Sequence, residues 1–141
     1  MKKALILVVS LFLVFGAAGA FADPMTAGDF LAESRAQILQ APVDVGKLLF
    51  DGGNYVFIDI REPTETKLGF IPNAILIPRG LLEFKIAGAV EDPGTQIVLY
   101  CASGGRSSLG AYTLKQMGYT NVISMAGGFR GWAEAGYPVA E

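Results

Sequence analysis

Gln96-Ile97-Val98-Leu99-Tyr100-Cys101-Ala102-Ser103-Gly104-Gly105-Arg106-Ser107 is the stretch that decides the fold of this chain. Its first five residues form a nearly continuous apolar run, as expected of a strand buried on both faces of a parallel sheet. A short loop of small residues follows, then a helical pattern over 107–117 with Gly118 placed to stop it. Working outward, Tyr55-Val56-Phe57-Ile58-Asp59-Ile60 has the same buried-strand character. A shorter strand is expected at 74–77, fenced by Pro72 and Pro78, and another at 121–125. Turns fall at Asp51-Gly52-Gly53-Asn54 and Asp92-Pro93-Gly94. Helical stretches are expected at 45–50 and 80–89, with a last helix carrying Trp132 after Gly127-Gly128. Near the start, Asp29 is placed to cap a helix whose Phe30, Leu31, Ile38 and Leu39 fall roughly on one face. Alternating strand, loop and helix implies a mostly parallel sheet with helices on both faces. In such sheets ligands bind beyond the carboxyl ends of the strands. Asp59-Ile60-Arg61 and Cys101 both fall at such ends.

The first 22 residues stand apart from this pattern. Lys2 and Lys3 precede an apolar run from Ala4 to Phe15, and small residues lead to Ala20-Phe21-Ala22. That is the pattern of a secretory signal cleaved after Ala22. The run is short for a membrane anchor, which needs about 20 residues. The expectation is an exported, periplasmic protein with one domain over residues 23–141 and no stable membrane anchor. Of 11 basic and 13 acidic residues, the signal removes Lys2 and Lys3 and no acid, leaving 9 against 13, or −4. An acidic balance without a clustered basic face argues against a nucleic-acid partner.

The chain has one cysteine and no histidine. An internal disulfide is therefore impossible, and Cys-His or Ser-His dyads and the usual zinc sets are excluded. No metal or cofactor is expected. A cysteine used chemically here must be activated by its surroundings. The loop provides for that. Its glycines allow successive N–H groups to turn inward as an anion nest. The following helix, starting near Ser107, adds its positive end, and Arg106 adds a full charge. Such surroundings lower a cysteine pKa from about 8.5 to roughly 3.5–7.5. The bland reading of Cys101 is a small buried hydrophobe at a strand end. The Gly-Gly-Arg tail and the strand-to-helix placement favour a reactive thiolate instead.

Cys101-x-x-Gly104-x-Arg106-Ser107 resembles the active-site loop of rhodanese-type sulfurtransferases. Asp59-Ile60-Arg61-Glu62-Pro63 is similar to that family's Asp-x-Arg-Glu-Pro segment. Gly69-Phe70-Ile71-Pro72-Asn73-Ala74 is similar to its Gly-His-Ile-Pro-Gly-Ala segment, and Gly127-Gly128-x-x-x-Trp132 to its closing motif. The likeness runs from about Met25 to Pro138 and is nearest to small, single-domain, exported members of the phage-shock kind. It implies a five-stranded, mostly parallel sheet flanked by helices. It also implies transfer of sulfane sulfur through a persulfide on Cys101. By the same resemblance, amides from Ala102, Ser103, Gly104, Gly105 and Arg106 hold the outer sulfur. Asp59, Arg61 and Ser107 support the site, with Arg61 paired to carboxylates or facing the donor. The implied partners are a small sulfur-containing anion and a thiol or protein acceptor. Thiosulfate and cyanide are the expected assay pair. Two residues depart from the pattern: Phe70 stands where histidine is common, and Asn73 where glycine is.

Other readings differ in chemistry. A phosphatase or arsenate reductase uses a related loop, but of the Cys-x5-Arg type. Here four residues separate Cys101 from Arg106, a tighter ring that suits one sulfur better than a phosphoryl group. A carrier handing persulfide to a partner protein would use the same chemistry. A non-catalytic binding module would typically lack the cysteine or the ordered loop. Among the remaining residues, Asp59 reads as a structural carboxylate pairing Arg61 or accepting N–H bonds. Glu62 and Glu65 read as solvated, and Phe129, Trp132 and Tyr112 as core. Arg79 reads as a surface charge, with a donor-steering role left open.

Overall fold

The computed structural model describes residues 23–141; the expected signal peptide, residues 1–22, lies outside the described residues. In chain order the elements are α1 (Ala27–Ala36), β1 (Leu39–Ala41), α2 (Val43–Gly52), β2 (Val56–Asp59) and α3 (Pro63–Thr66). Then come β3 (Ile75–Leu76), a 3-10 turn (Arg79–Leu81), α4 (Leu82–Ala89) and β4 (Ile97–Tyr100). Finally come α5 (Gly105–Gln116), β5 (Val122–Met125) and α6 (Gly128–Glu134). The five strands form one sheet in the order β1-β5-β4-β2-β3, and every pair within it is parallel. This is the α/β architecture expected from the sequence.

The apolar strands divide two cores by simple alternation. Ile58, Leu99 and Ile60 face one side, where Leu82 and Ile86 of α4 and Leu114 of α5 cover them. Phe57, Val98, Tyr100 and Met125 face the other, where Trp132 of α6 packs with Phe50 of α2. Full burial of one such aliphatic side chain is worth about 1.5–3 kcal/mol. Because β2 and β4 are covered on both faces, they carry no polar residue before Asp59.

The resemblance implied five strands, but residue patterns alone marked four. The fifth is β1, whose Leu39 reads from the sequence as part of the first helix. That helix ends at Ala36, and Leu39-Gln40-Ala41 instead pairs with Ile123-Ser124-Met125. A three-residue edge strand carries no periodicity of its own; its partner lies more than 80 residues away. Asp29 is not the cap of α1 either. Thr26 caps it, and Asp29 returns a bond to the Thr26 N–H at 3.1 Å, a reciprocal capping box.

The direction in which strands are added to the sheet reverses between the two central, parallel strands β2 and β4. From β2 the chain moves outward to β3, whereas from β4 it moves the other way to β5. The crevice beyond their carboxyl ends is thus a topological switch point, where ligands of such sheets bind. Asp59 and Tyr100, the last residues of β2 and β4, stand opposite each other there.

Candidate active site

Cys101 is the first residue beyond β4, and the chain turns into α5 within four residues. The helix begins at Gly105, two residues before the expected start. Its first turn therefore closes around the sulfur. The Gly104 N–H donates to Cys101 Sγ at 3.2 Å, and backbone N–H groups of Ser107 and Ser103 also face it. The Ser107 hydroxyl lies 3.7 Å from Sγ. Ser124 of β5 donates to Ser107 Oγ at 2.9 Å, which leaves the Ser107 proton free to point at the sulfur. Burial disfavours the thiolate, but the N–H groups of Ser107, Ser103 and Gly104 outweigh it, and the Cys101 pKa is lowered. Cys101 is 1% exposed, beneath the half-buried or exposed Ala102, Ser103 and Gly105.

The loop's shape depends on two glycines. Gly104 has φ 103°, a left-handed conformation, and its Cα side faces Ala126 and Gly127. Gly128 has φ 56° and lies directly on the Cys101–Ala102 peptide. From there α6 clamps the loop: Phe129 N–H donates to the Cys101 carbonyl at 2.7 Å, and Arg130 N–H to that of Ala102 at 3.0 Å. The closing Gly127-Gly128 motif is thus the floor of the cysteine loop.

Arg106 is turned to an unexpected partner. Its guanidinium forms two parallel bonds of 2.8 Å to both carboxylate oxygens of Glu65. Glu65, read from sequence as solvated, is half-buried at 33% exposure. The Arg106 bonds hold its carboxyl down at about 2. Backbone N–H groups carry the larger share of thiolate stabilisation, and Arg106, although paired with Glu65, still interacts with Cys101 through its charge and a side-chain hydrogen bond.

Asp59 and Arg61 form a second, buried pair. Asp59 is fully buried and accepts from the Arg61 N–H at 2.9 Å, from Nε at 3.0 Å and from Nη2 at 2.7 Å. Arg61 Nη2 also donates to the Gly69 carbonyl at 2.7 Å, and the guanidinium lies 3.9 Å over the Phe129 ring. Phe129 is therefore not plain core; it stacks on a cation at the rim. Beside the loop at Ala102 opens a groove of about 420 Å³, walled by Leu68, Phe129, Arg61, Glu65, Arg130 and Glu134.

Asn73 stands at φ 62°, a left-handed position that asparagine tolerates. Phe70 pairs with Ala140 by two backbone bonds and fastens the C-terminus across the rim. Arg79 is bonded to Glu83 at 2.7 Å and to Thr113 at 3.1 Å. Trp132 is fully buried. Sequence reading missed Glu65 and Ser124. The second left a signal, a lone hydroxyl inside Val122-Ile123-Ser124-Met125; the first left none, since its partner lies 41 residues on. Among the described residues no cluster of histidine, cysteine and acids could hold a metal, and no helix is long and apolar enough to cross a membrane.

Comparison with known proteins follows the same lines. Residues 42–135 match the family described as rhodanese-like domain. A sulfurtransferase from Allochromatium vinosum is 35% identical over 91 residues, which are 64% of this chain and 83% of that protein. A solved protein of unknown function and possible tyrosine phosphatase, from Rhodopseudomonas palustris, superposes with a TM-score of 0.77 at 32% identity. That match covers 84% of this chain and all (100%) of the other. The polysulfide-sulfur transferase homodimer from Wolinella succinogenes gives a TM-score of 0.67 at 29% identity, over 79% of this chain and 84% of its own.

Proposed function

The chain belongs to the rhodanese-like domain family, and on that premise we propose that it is a sulfurtransferase carrying a sulfane sulfur on Cys101. One observation carries this reading: backbone N–H groups of Ser103, Gly104 and Ser107 converge on Cys101 Sγ at the start of α5. Such a ring stabilises an anionic sulfur whether it is the thiolate or the outer atom of a persulfide. The Cys101 thiolate attacks the outer sulfur of a donor such as thiosulfate. The donor S–S bond breaks, and sulfite leaves. An acceptor nucleophile, cyanide or a thiol, then removes the outer sulfur and restores the thiolate. Two displacements at one residue require ping-pong kinetics.

The same chemistry serves a carrier that passes its sulfur to a thiol on a partner protein. The N-terminal pattern supports action in the periplasm, with residues 23–141 as the mature domain. Phosphoryl transfer is disfavoured by the four-residue spacing between Cys101 and Arg106 and by the engagement of Arg106 with Glu65. A phosphoryl group would need that fork for its oxygens.

Intact mass spectrometry after incubation with thiosulfate tests the proposal. The expected result is a species heavier by one sulfur atom that cyanide reverts. Cys101→Ser should form no such species, since a hydroxyl is a far weaker nucleophile near neutral pH. Normal turnover by the serine variant would remove Cys101 as carrier.

A further inference from the structure

Strand β5 carries one hydroxyl among apolar residues. Its Val122 faces the core under α5, and by strand alternation Ser124 faces the same way. Ser124 and Ser107 are both fully buried. A buried hydroxyl costs stability unless it is hydrogen-bonded. These two bond each other at 2.9 Å, and Ser107 Oγ lies 3.7 Å from Cys101 Sγ. The contacts thus run from β5 through α5 to the sulfur. A thiolate has no proton to give, so it accepts from the Ser107 hydroxyl, and Ser107 Oγ in turn accepts from Ser124. The charge on Sγ therefore orders both hydroxyls. In a persulfide Sγ is bonded to a second sulfur and carries no charge, and the bond from Ser107 weakens. The outer sulfur then holds the charge, among the N–H groups of the loop.

Resting on the sulfurtransferase reading, we propose that Ser124 is a positioning residue that acts through Ser107 on the discharge step, in which the acceptor takes the outer sulfur and Sγ leaves as a thiolate. With cyanide, the carbon lone pair forms a C–S bond to the outer sulfur, the S–S bond breaks, and its electron pair returns to Sγ. Thiocyanate departs, no proton is transferred, and no oxidant or reductant is needed. Negative charge grows on Sγ in this transition state, so an oriented Ser107 hydroxyl binds it more tightly than it binds the persulfide. Only such a difference accelerates a step. In the same sense, a thiolate of lower pKa leaves faster. Loading runs the other way. Charge drains from Sγ as it attacks the donor, so the same bond restrains the nucleophile. Ser124 therefore favours release of sulfur over its uptake.

The test times the two half-reactions separately by intact mass, at one pH above the alkylation midpoints of all variants. One is gain of a sulfur atom from thiosulfate; the other is its loss from the preloaded protein to cyanide. Ser124→Ala should discharge about threefold more slowly than the wild type, the low end of what one hydrogen bond contributes. It should load about 1.5-fold faster, because nucleophilicity rises with basicity. Its alkylation midpoint should lie higher. Ser124→Thr keeps the hydroxyl and should return both rates to near wild type. Ser124→Val has the shape of the threonine variant without the hydroxyl and should behave as Ser124→Ala does; this pair decides the matter if the alanine variant does not fold. Ser124→Ala added to Ser107→Ala should change nothing further, since Ser124 acts through Ser107. Rates unmoved in Ser124→Ala, or both slowed alike, would overturn the role of Ser124. So would a threonine variant that matches valine, or full additivity with Ser107→Ala, and each of these leaves the sulfurtransferase reading standing. Failure of the wild-type protein to take up sulfur on Cys101 would overturn that reading itself and the role of Ser124 with it.

Discussion

Gly128 leaves no room for a side chain against Cys101: a Cβ built on it would stand 2.4 Å from the Cys101 carbonyl oxygen. The same residue has φ 56°, a left-handed conformation that disfavours L-residues other than asparagine and aspartate. Contact therefore demands glycine, and conformation favours it, at the point where α6 clamps the cysteine loop.

Gly128→Ala should accordingly cost about 3 kcal/mol, near the top of the usual range for point substitutions. Denaturant unfolding would measure it. The loop should suffer beyond the global loss, because the Phe129 and Arg130 N–H bonds to Cys101 and Ala102 must shift. Sulfur loading at a temperature where the variant remains folded should fall by more than tenfold, the order of effect that loss of one oriented donor produces.

The lowered Cys101 pKa makes a prediction about pH. Alkylation of Cys101 by iodoacetamide should follow a midpoint below that of a free thiol, and the acid limb of sulfur loading should follow the same midpoint. Stability should respond as well. Between the folded and unfolded pKa values the unfolded chain still holds a proton that the folded one has lost. Folding therefore strengthens as pH rises through that window toward about 8.5, and the gain disappears below the folded value. Glu65, held at about 2, stays ionised across the cysteine window; its contribution to stability is lost only as pH falls from about 4.5, where the unfolded chain takes up the proton, toward 2. Ser107→Ala removes one bond to the sulfur and should move the midpoint upward. A midpoint equal to that of a free thiol would count against the N–H ring as the activating device.

Asp59 is placed to hold Arg61, not to do chemistry. Asp59→Asn leaves a guanidinium that is only 5% exposed without its counter-charge. The expected loss is about 3–5 kcal/mol of stability. The midpoint of Cys101 alkylation in the folded variant should stay where it is in the wild type. A large shift of that midpoint with little loss of stability would instead make Asp59 part of the thiol's electrostatics.

Export is tested at the N-terminus. Protein recovered from the periplasm of expressing cells should begin at Asp23. Recovery of the intact Met1 end in a membrane fraction would reject cleavage after Ala22.

The local sequence carried a large part of this molecule. Strands β2 and β4 are apolar at every position before their ends, so burial on both faces was legible without their partners. The cysteine loop was legible for a related reason: small residues and glycines between a buried strand and a helix leave the backbone free to turn its N–H groups inward. Tertiary structure decided what depends on distant partners. β1 exists only because β5 offers it a ladder, so Leu39 could pass for helix. The start of α5 at Gly105 follows from the support of Gly104 by Ala126 and Gly127, not from helix propensity, which glycine lacks. The fate of Arg106 was likewise invisible. Its charge can be read from the chain, but whether that charge faces a sulfur, a donor or a carboxylate depends on where α3 brings Glu65, and only the folded sheet sets that distance.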